Sequence, residues 1–217
     1  MSKSFSIDRR LLLAGAAATL TVGAATTLQA RKVPVVTVLG DSITAGYGLK
    51  VRAETLPVQL EAELKRQGVT ARVVGAGVSG DTTAAGLRRL DRDVPADTDV
   101  CVVALGANDL LNGVDPARVK ANLDAIVRRL QARGVRVVVA GMRAPPLLDP
   151  AYVKAFDAAF PSVAKAHGAA LYPFLLDGVA LDPRLNQADR LHPNGQGVAV
   201  IARRLAPVVA RTVQRKA

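Results

Sequence analysis

Three polar side chains of this sequence are of the types that perform acyl transfer. Ser42 follows an apolar run within Gly-Asp-Ser, and a serine hydroxyl becomes a nucleophile when a base removes its proton. Histidine is the base that is uncharged near neutral pH, and His192 lies in a loop before the last predicted helix. Asp189 stands three residues earlier, where its carboxylate would bind Nδ1 and leave Nε2 for Ser42. The spacing predicts a serine–histidine–aspartate triad.

Each of these residues also has a purely structural explanation. Asp and Ser are preferred at a helix start, so Gly-Asp-Ser is also typical of a helix cap. His192 would equally suit the start of a helix, and Asp189 would suit an exposed loop. The second histidine, His167, precedes Gly168 at a predicted helix end, where the helix dipole favours a cation. Spacing alone leaves the alternatives open for Ser42, Asp189 and His192.

Acyl transfer also needs hydrogen-bond donors for the negative charge that develops on the carbonyl oxygen. The candidates are the backbone amides of Ser42 and Gly80 and the side-chain amide of Asn108. Gly80 has no Cβ, so its backbone can approach a neighbour closely, and Asn108 offers a neutral donor that an aspartate would lack. Gly80 and Asn108 also suit ordinary turns. We expect these three groups to form an oxyanion hole.

A second glycine pattern, Gly75-x-Gly77-x-x-Gly80, matches the fingerprint of dinucleotide-binding loops. It follows the second predicted strand rather than the first, and Asp81 directly after it would place a carboxylate near the pyrophosphate. We therefore interpret the match as a coincidence, and no cofactor is predicted. Two histidines and one cysteine cannot form a standard zinc site without carboxylate ligands, so no metal is predicted either.

Apolar runs alternate with amphipathic segments along the chain. The runs predict strands at 31–39, 71–74, 99–105, 135–140 and 169–173, and the segments predict helices at 57–67, 82–90, 115–132, 150–167 and from about 194 onward. Such alternation is typical of an α/β fold with a parallel sheet and helices on both faces. Because the carboxyl ends of parallel strands meet at one edge, we expect all five candidate site residues to lie there together.

The composition limits the binding partners. The 217-residue chain has a formal net charge of +11, but its basic residues are spread along the helices and only 3% of its residues are aromatic, so nucleic-acid binding is not predicted. The basic charge does allow a transient contact with a membrane surface. Cys101 is the only cysteine, which excludes an intramolecular disulfide, and its apolar neighbours predict a buried thiol. No obligate protein partner is predicted.

The first thirty residues differ in character from the rest. Basic residues at Lys3, Arg9 and Arg10 precede an apolar stretch at 11–25, and Ala30 offers a small residue at a suitable cleavage position. This arrangement predicts a cleavable signal peptide at 1–30, and the paired arginines also fit a twin-arginine signal. We therefore expect a periplasmic or secreted protein, with an uncleaved N-terminal membrane anchor as the alternative.

Four short blocks, taken in order, resemble those of the SGNH (GDSL) hydrolases. They are the Gly-Asp-Ser that ends at Ser42, then Gly80, then Gly-Ala-Asn-Asp around Asn108, and finally Asp189-x-x-His192. The resemblance covers nearly all of residues 31–217 and is closest to bacterial arylesterases and thioesterase/lysophospholipase enzymes. It implies a flavodoxin-like three-layer α/β/α sandwich with a five-stranded parallel sheet of order 2-1-3-4-5. It also implies that Ser42 is the nucleophile, that His192 oriented by Asp189 is the base, and that the oxyanion hole is the one described above.

The same resemblance implies where a substrate binds and what it is. The family pocket lies between the loops after the third and fourth strands, which here contain Leu110, Leu111, Pro145 and Pro146. The implied activity is a serine esterase that hydrolyses aryl or short-to-medium acyl esters, thioesters or lysophospholipids through an acyl-enzyme. A carbohydrate O-acetylesterase or acyltransferase of the cell envelope is the alternative within the family. A non-catalytic envelope-binding module is the alternative from another class.

Overall fold

Five parallel strands form the centre of the protein in the computed structural model, which describes Met1 and residues 32–215. The strands are β1 (Val35–Gly40), β2 (Arg72–Gly77), β3 (Val100–Ala104), β4 (Arg136–Ala140) and β5 (Ala170–Tyr172). Their order across the sheet is β2-β1-β3-β4-β5, and every neighbouring pair is parallel. The expected α/β class and the strand order 2-1-3-4-5 are confirmed.

The two central strands are buried along their whole length. Every residue of β1 and β3 is buried, and most of these residues are valines, whose branched side chains suit a strand that is covered on both faces. Burying one such side chain completely contributes about 1.5–3 kcal/mol, so these two strands anchor the core. The edge strand β2 is more exposed. Ser42 and Asn108 therefore follow the two fully buried strands, whereas the Gly80 loop follows the more exposed β2.

Helices cover the sheet on both sides. They are α1 (Ser42–Ala45), α2 (Leu56–Arg66), α3 (Thr83–Asp93), α4 (Ala107–Leu111), α5 (Pro116–Ala132), α6 (Pro150–Ala166) and α7 (Gly195–Gln214), with a 3-10 turn at Arg52–Glu54. Helix α2 packs against α7, whereas α5 packs between α3 and α6. These two groups form the outer layers of the expected three-layer sandwich.

Side-chain caps set the points at which the long helices begin. Thr82 accepts a hydrogen bond from the Ala85 amide at the start of α3, and Asn194 accepts one from the Gly197 amide at the start of α7. Each such cap stabilises its helix start by about 1 kcal/mol. Thr82 lies just after Gly80 and Asn194 just after the His192 loop, so both caps fix the exit of a functional loop.

The structure corrects the boundaries of the glycine pattern in the second loop. Strand β2, predicted to end at residue 74, continues to Gly77, so Gly75 and Gly77 lie within a strand rather than in a loop. A Cβ on Gly77 would lie 2.4 Å from the backbone nitrogen of Ala45. Gly77 therefore allows close packing of β2 against α1. The short helix α4 and the 3-10 turn were not predicted, because neither is long enough to show a periodic pattern.

The predicted signal peptide at 1–30 and its boundary with the domain lie outside the described residues. All five strands fall between Val35 and Tyr172. Within the part of the chain that the structure describes, no helix combines the length and the apolar character needed to cross a membrane. The same residues contain no group of three or more His, Cys, Asp or Glu side chains arranged to hold a metal ion.

Candidate active site

Ser42 is the first residue of helix α1 and not its cap. The cap is Asp41, whose carboxylate accepts a hydrogen bond of 3.0 Å from the Ile43 amide. The helix-cap explanation of Gly-Asp-Ser therefore applies to Asp41. Because Asp41 caps the helix, the Ser42 hydroxyl is not needed for capping and is available as a nucleophile. Ser42 is 8% exposed and lies two residues beyond the carboxyl end of β1.

The hydroxyl of Ser42 meets the imidazole of His192 and, beyond it, the carboxylate of Asp189. Ser42 Oγ lies 2.9 Å from His192 Nε2, and His192 Nδ1 lies 2.7 Å from Asp189 Oδ2. In the neutral imidazole, Nδ1–H donates to Asp189, which leaves Nε2 as the acceptor for the serine proton. The structure thus brings together the three residues of the predicted triad in the predicted order.

Asp189 holds the histidine loop in shape as well as the imidazole. Its Oδ1 accepts from the backbone amides of Leu191 at 2.9 Å and His192 at 3.0 Å. These hydrogen bonds, led by that from the His192 amide, lower the pKa of Asp189 to about 2. Arg190, inside this turn, has a left-handed φ of 57°, which is unfavourable for a residue other than glycine. Backbone strain and the hydrogen bonds that offset it therefore meet in the turn that carries the base.

The two other oxyanion-hole candidates follow β2 and β3, and the structure places Asn108 in helix α4 rather than in a loop. The Asn108 side-chain amide donates a hydrogen bond of 2.9 Å to the carbonyl oxygen of Asp81, which connects α4 to the loop after β2. Gly80 has a φ of +84°, and a Cβ there would meet no protein atom within 4 Å. The positive φ explains why glycine stands here, and no protein atom occupies the space beside its Cα.

Arg89 on α3 is a site residue that the sequence reasoning missed. Its guanidinium is 7% exposed and forms ion pairs with Asp81 and Asp93. It also donates to two backbone carbonyls, that of Gly40 at 2.7 Å and that of Ala76 at 2.9 Å. One buried cation thus joins the ends of β1 and β2 to the loop that contains Gly80. In sequence it is one of several arginines along α3, and no local signal separates it from the others.

The remaining polar residues of the loops have bracing roles. The carboxylate of Asp109, which follows Asn108, accepts hydrogen bonds of 2.7 Å from the Thr83 amide and 2.6 Å from the Thr83 hydroxyl. These bonds connect α4 to the start of α3. The other histidine, His167, ends α6, and its Nε2 lies 2.6 Å from Asp124 Oδ1. That pair lies away from the carboxyl edge, as the predicted helix end required.

The predicted substrate-binding residues follow β3 and β4, and the structure places Leu110 and Leu111 in helix α4 rather than in a loop. Leu110 is half-buried and packs against the core, whereas Leu111 is 62% exposed and both prolines of the loop after β4 are exposed. The hydroxyl of Tyr152, in the first turn of α6, donates a hydrogen bond of 3.0 Å to the carbonyl of Val114. This hydrogen bond connects α6 to the segment that follows α4.

Sequence comparison identifies the family to which this arrangement of residues belongs. The profile of the GDSL-like lipase/acylhydrolase family matches residues 38–200, which include every residue of the triad and of the predicted oxyanion hole. The chain belongs to this family. The esterase TesA of Pseudomonas aeruginosa is 38% identical to the chain over 160 residues, which cover 72% of this chain and 78% of that protein.

Two further relatives agree. The thioesterase 1/protease 1/lysophospholipase L1 of Escherichia coli K12 is 34% identical over 188 residues, which cover 84% of this chain and 88% of that protein. The crystal structure of AlinE4, an SGNH-hydrolase family esterase, superposes with a TM-score of 0.69 at 41% identity and covers 85% of this chain and 98% of that one. The resemblance stated from the sequence is confirmed, and this GDSL hydrolase is a carboxylic ester hydrolase.

Proposed function

We propose that the chain is a serine esterase in which Ser42 attacks the carbonyl carbon of an ester. The observation that carries the proposal is a continuous chain of hydrogen bonds. Ser42 Oγ lies 2.9 Å from His192 Nε2, and His192 Nδ1 lies 2.7 Å from Asp189 Oδ2. These contacts supply a nucleophile, its base and the carboxylate that orients the base. In this proposal Asp189 stays ionised throughout and stabilises the imidazolium.

The reaction proceeds in two halves. His192 Nε2 takes the proton of Ser42 as the Oγ–carbon bond forms, and it then gives that proton to the departing alcohol or phenol as the ester bond breaks. Water attacks the resulting acyl-enzyme, with His192 again as base, and the carboxylic acid leaves as Ser42 regains its proton. The backbone amides of Ser42 and Gly80 and the side chain of Asn108 donate to the carbonyl oxygen while it carries negative charge.

We propose that the acyl chain lies between helix α4 and the loop after β4. Leu110 and Leu111 line one side of this space, and Pro145 and Pro146 line the other. This apolar lining favours aryl or short-to-medium acyl esters over acetylated sugars. The name of the Escherichia coli relative adds thioesters and lysophospholipids to the substrates worth testing.

The experiment compares Ser42→Ala with the wild-type protein on p-nitrophenyl esters of increasing chain length. We expect kcat/KM to fall by about a thousandfold or more, and we expect His192→Ala to lose nearly as much because triad members act as a unit. Ser162→Ala is the matched control, since Ser162 lies on α6 and bonds only the Ala158 carbonyl. Full activity of the Ser42 variant would overturn the proposal. Activity restricted to acetylated sugars would favour the O-acetylesterase alternative.

We further propose that residues 1–30 are a cleavable export signal and that the domain acts in the periplasm or outside the cell. Support comes from the basic start at Lys3, Arg9 and Arg10, the apolar stretch at 11–25 and Ala30. N-terminal sequencing of the protein from fractionated cells tests this. A start near residue 31 in the periplasm or medium is expected, and a soluble cytoplasmic protein that starts at Met1 would contradict it. A protein that keeps residues 1–30 in the membrane fraction would favour the anchor.

A further inference from the structure

An aromatic ring lies against the histidine of the triad. Tyr47 follows helix α1 directly, and the centroid of its ring is 4.7 Å from that of His192, with the two planes inclined by 41°. The Tyr47 backbone amide donates a hydrogen bond of 3.0 Å to the carbonyl of Ser42, so Tyr47 lies in the same turn as the proposed nucleophile. Tyr47 is 55% exposed, which makes it a large aromatic kept at the surface beside the imidazole.

One side chain holds this turn against the histidine turn. The Gln187 side-chain amide donates hydrogen bonds of 2.8 Å to the carbonyl of Tyr47 and 3.0 Å to the carbonyl of Pro193. The Gln187 backbone amide donates a hydrogen bond of 2.8 Å to the carbonyl of His192. A Cβ on Gly48 would lie 2.0 Å from the Gln187 side-chain oxygen, so glycine leaves room for the contact. Gln187 therefore connects two turns that are far apart in sequence.

We propose that Tyr47 is a positioning residue for His192, that its ring stabilises the imidazolium formed during catalysis, and that Gln187 holds it in place. The inference rests on the proposed function of Ser42 and His192. The bond to Asp189 fixes Nδ1, but a ring held at one atom can still tilt. The ring of Tyr47, with its centroid 4.7 Å from that of the imidazole, restricts that tilt and keeps Nε2 directed at Ser42.

The electrostatic part of the role concerns a charge that exists only during the reaction. The face of an aromatic ring is negative and attracts a cation whose position is within about 6 Å of the ring centroid. The imidazole is neutral before attack and charged after it takes the serine proton, so the attraction is stronger in the transition state than in the ground state. Removing the ring should therefore lower kcat more than it raises KM.

Two substitutions of Tyr47 separate the ring face from its bulk. Tyr47→Phe keeps the face, and we expect its kcat to stay within about twofold of wild type. Tyr47→Leu keeps an apolar side chain without the face, and we expect kcat to fall about two- to fivefold with little change in KM. The acidic limb of the kcat/KM pH profile should move to lower pH in the leucine variant alone, because the imidazolium loses a stabilising partner. Asp189 and Asp41 also act on the charge of His192, and neither is altered.

Gln187→Met tests this connection without adding a charge beside His192, because a thioether side chain of similar length cannot donate to the carbonyls of Tyr47 and Pro193. We expect it to reproduce the loss seen in Tyr47→Leu, and we expect the double variant to lose little more than either single one. Gln67→Met, at the exposed end of α2, is the matched control and should leave kcat unchanged. Thermal melting of each variant shows whether the fold is intact. If Tyr47→Leu does not fold, Gln187→Met still tests the role.

The outcomes distinguish this inference from the proposed function. Equal kcat values and equal pH profiles for the leucine and phenylalanine variants of Tyr47 would overturn the inference. A rise in KM without a fall in kcat would also overturn it, since it would make Tyr47 a substrate contact only. Ser42→Ala in the same assay tests the function. If that variant is inactive while both Tyr47 variants match the wild type, only the positioning role fails.

Discussion

Replacing Asp41 by asparagine should make the protein more stable at neutral pH and a poorer catalyst. Asp41 is 1% exposed, between β1 and the helix that starts at Ser42. Burial raises its pKa from the ordinary value of 3.8 to about 6, although the hydrogen bond from Ile43 and the attraction of His192 oppose the shift. At neutral pH the folded protein therefore keeps an ionised carboxylate in a place that disfavours its charge.

The size of the effect follows from the two pKa values. Their difference, about 6 minus 3.8, is about 2.2 units, which corresponds to about 3 kcal/mol at about 1.36 kcal/mol per unit. Between these values the folded state binds the proton and the unfolded state does not, so the free energy of unfolding falls as the pH rises. The destabilisation is fully present above about pH 6 and disappears as the pH falls towards the unfolded value. An asparagine side chain carries no such charge, so the variant should gain up to about 3 kcal/mol at about pH 7.5 and only about 1 kcal/mol at about pH 4.5.

Urea denaturation of the wild type and Asp41→Asn at both pH values tests this reasoning. An unpaired amide N–H in the variant would add a fixed cost at both, so the change of the difference with pH isolates the ionisation of Asp41. Asp97→Asn is the control, since Asp97 is an exposed partner of Arg72 whose loss should cost about 1 kcal/mol or less. If the difference between Asp41→Asn and the wild type were the same at both pH values, ionisation of the buried carboxylate would not be its cause.

The activity of Asp41→Asn gives an independent measurement. The ionised carboxylate of Asp41 attracts the charge that His192 acquires when it takes the proton of Ser42. Its neutral replacement should therefore lower kcat on a p-nitrophenyl ester several-fold at about pH 7.5, with a higher urea midpoint in the same preparation. A variant that is more stable and fully active would show that this charge has no part in catalysis.

Three further predictions concern residues around and below the site. Gly80→Ala places a side chain at a φ of +84°, so we expect stability to fall by about 1–2 kcal/mol in urea and kcat to fall as the donor amide shifts. An unchanged kcat would contradict the expected shift of the amide. Arg89→Met leaves Asp81, whose side chain is 13% exposed, without its buried cation, and should cost about 3 kcal/mol of unfolding free energy. A loss under about 1 kcal/mol would show that this ion pair behaves as an exposed one. Burial raises the pKa of the Cys101 thiol to about 12, so iodoacetamide should label Cys101 in urea but not in buffer. Equal labelling rates would contradict that burial.

The sequence was most informative where a signal is local. The apolar run that stops before Gly-Asp-Ser and the single turn from Asp189 to His192 are both short patterns, and the structure brings their polar side chains within hydrogen-bonding distance. The second loop was less well predicted, because the glycines that end β2 resemble loop glycines in sequence. Only the backbone of Ala45, 2.4 Å from a Cβ placed on Gly77, shows that they serve close packing.

The predicted substrate-binding residues could be named from the sequence, but the acyl chain that they accept could not. The family resemblance named Leu110, Leu111, Pro145 and Pro146, and the structure adds that the two leucines lie in helix α4. Which acyl chain binds there depends on how these side chains move around a ligand, so the chain-length assay decides it. The signal peptide is a purely compositional prediction that rests on residues 1–30.

By itself, the amino-acid sequence determined the α/β alternation and the residue types of the site, because hydrophobic periodicity and short motifs are properties of neighbouring residues. The tertiary structure alone decided that Ser42 and His192, 150 residues apart, approach within 2.9 Å. It also decided that Arg89 reaches the Gly40 carbonyl and that the ring of Tyr47 lies on the imidazole. These contacts depend on which strands lie side by side and on the directions in which side chains leave their turns. No local pattern carries that information, because such contacts form only when distant segments pack together.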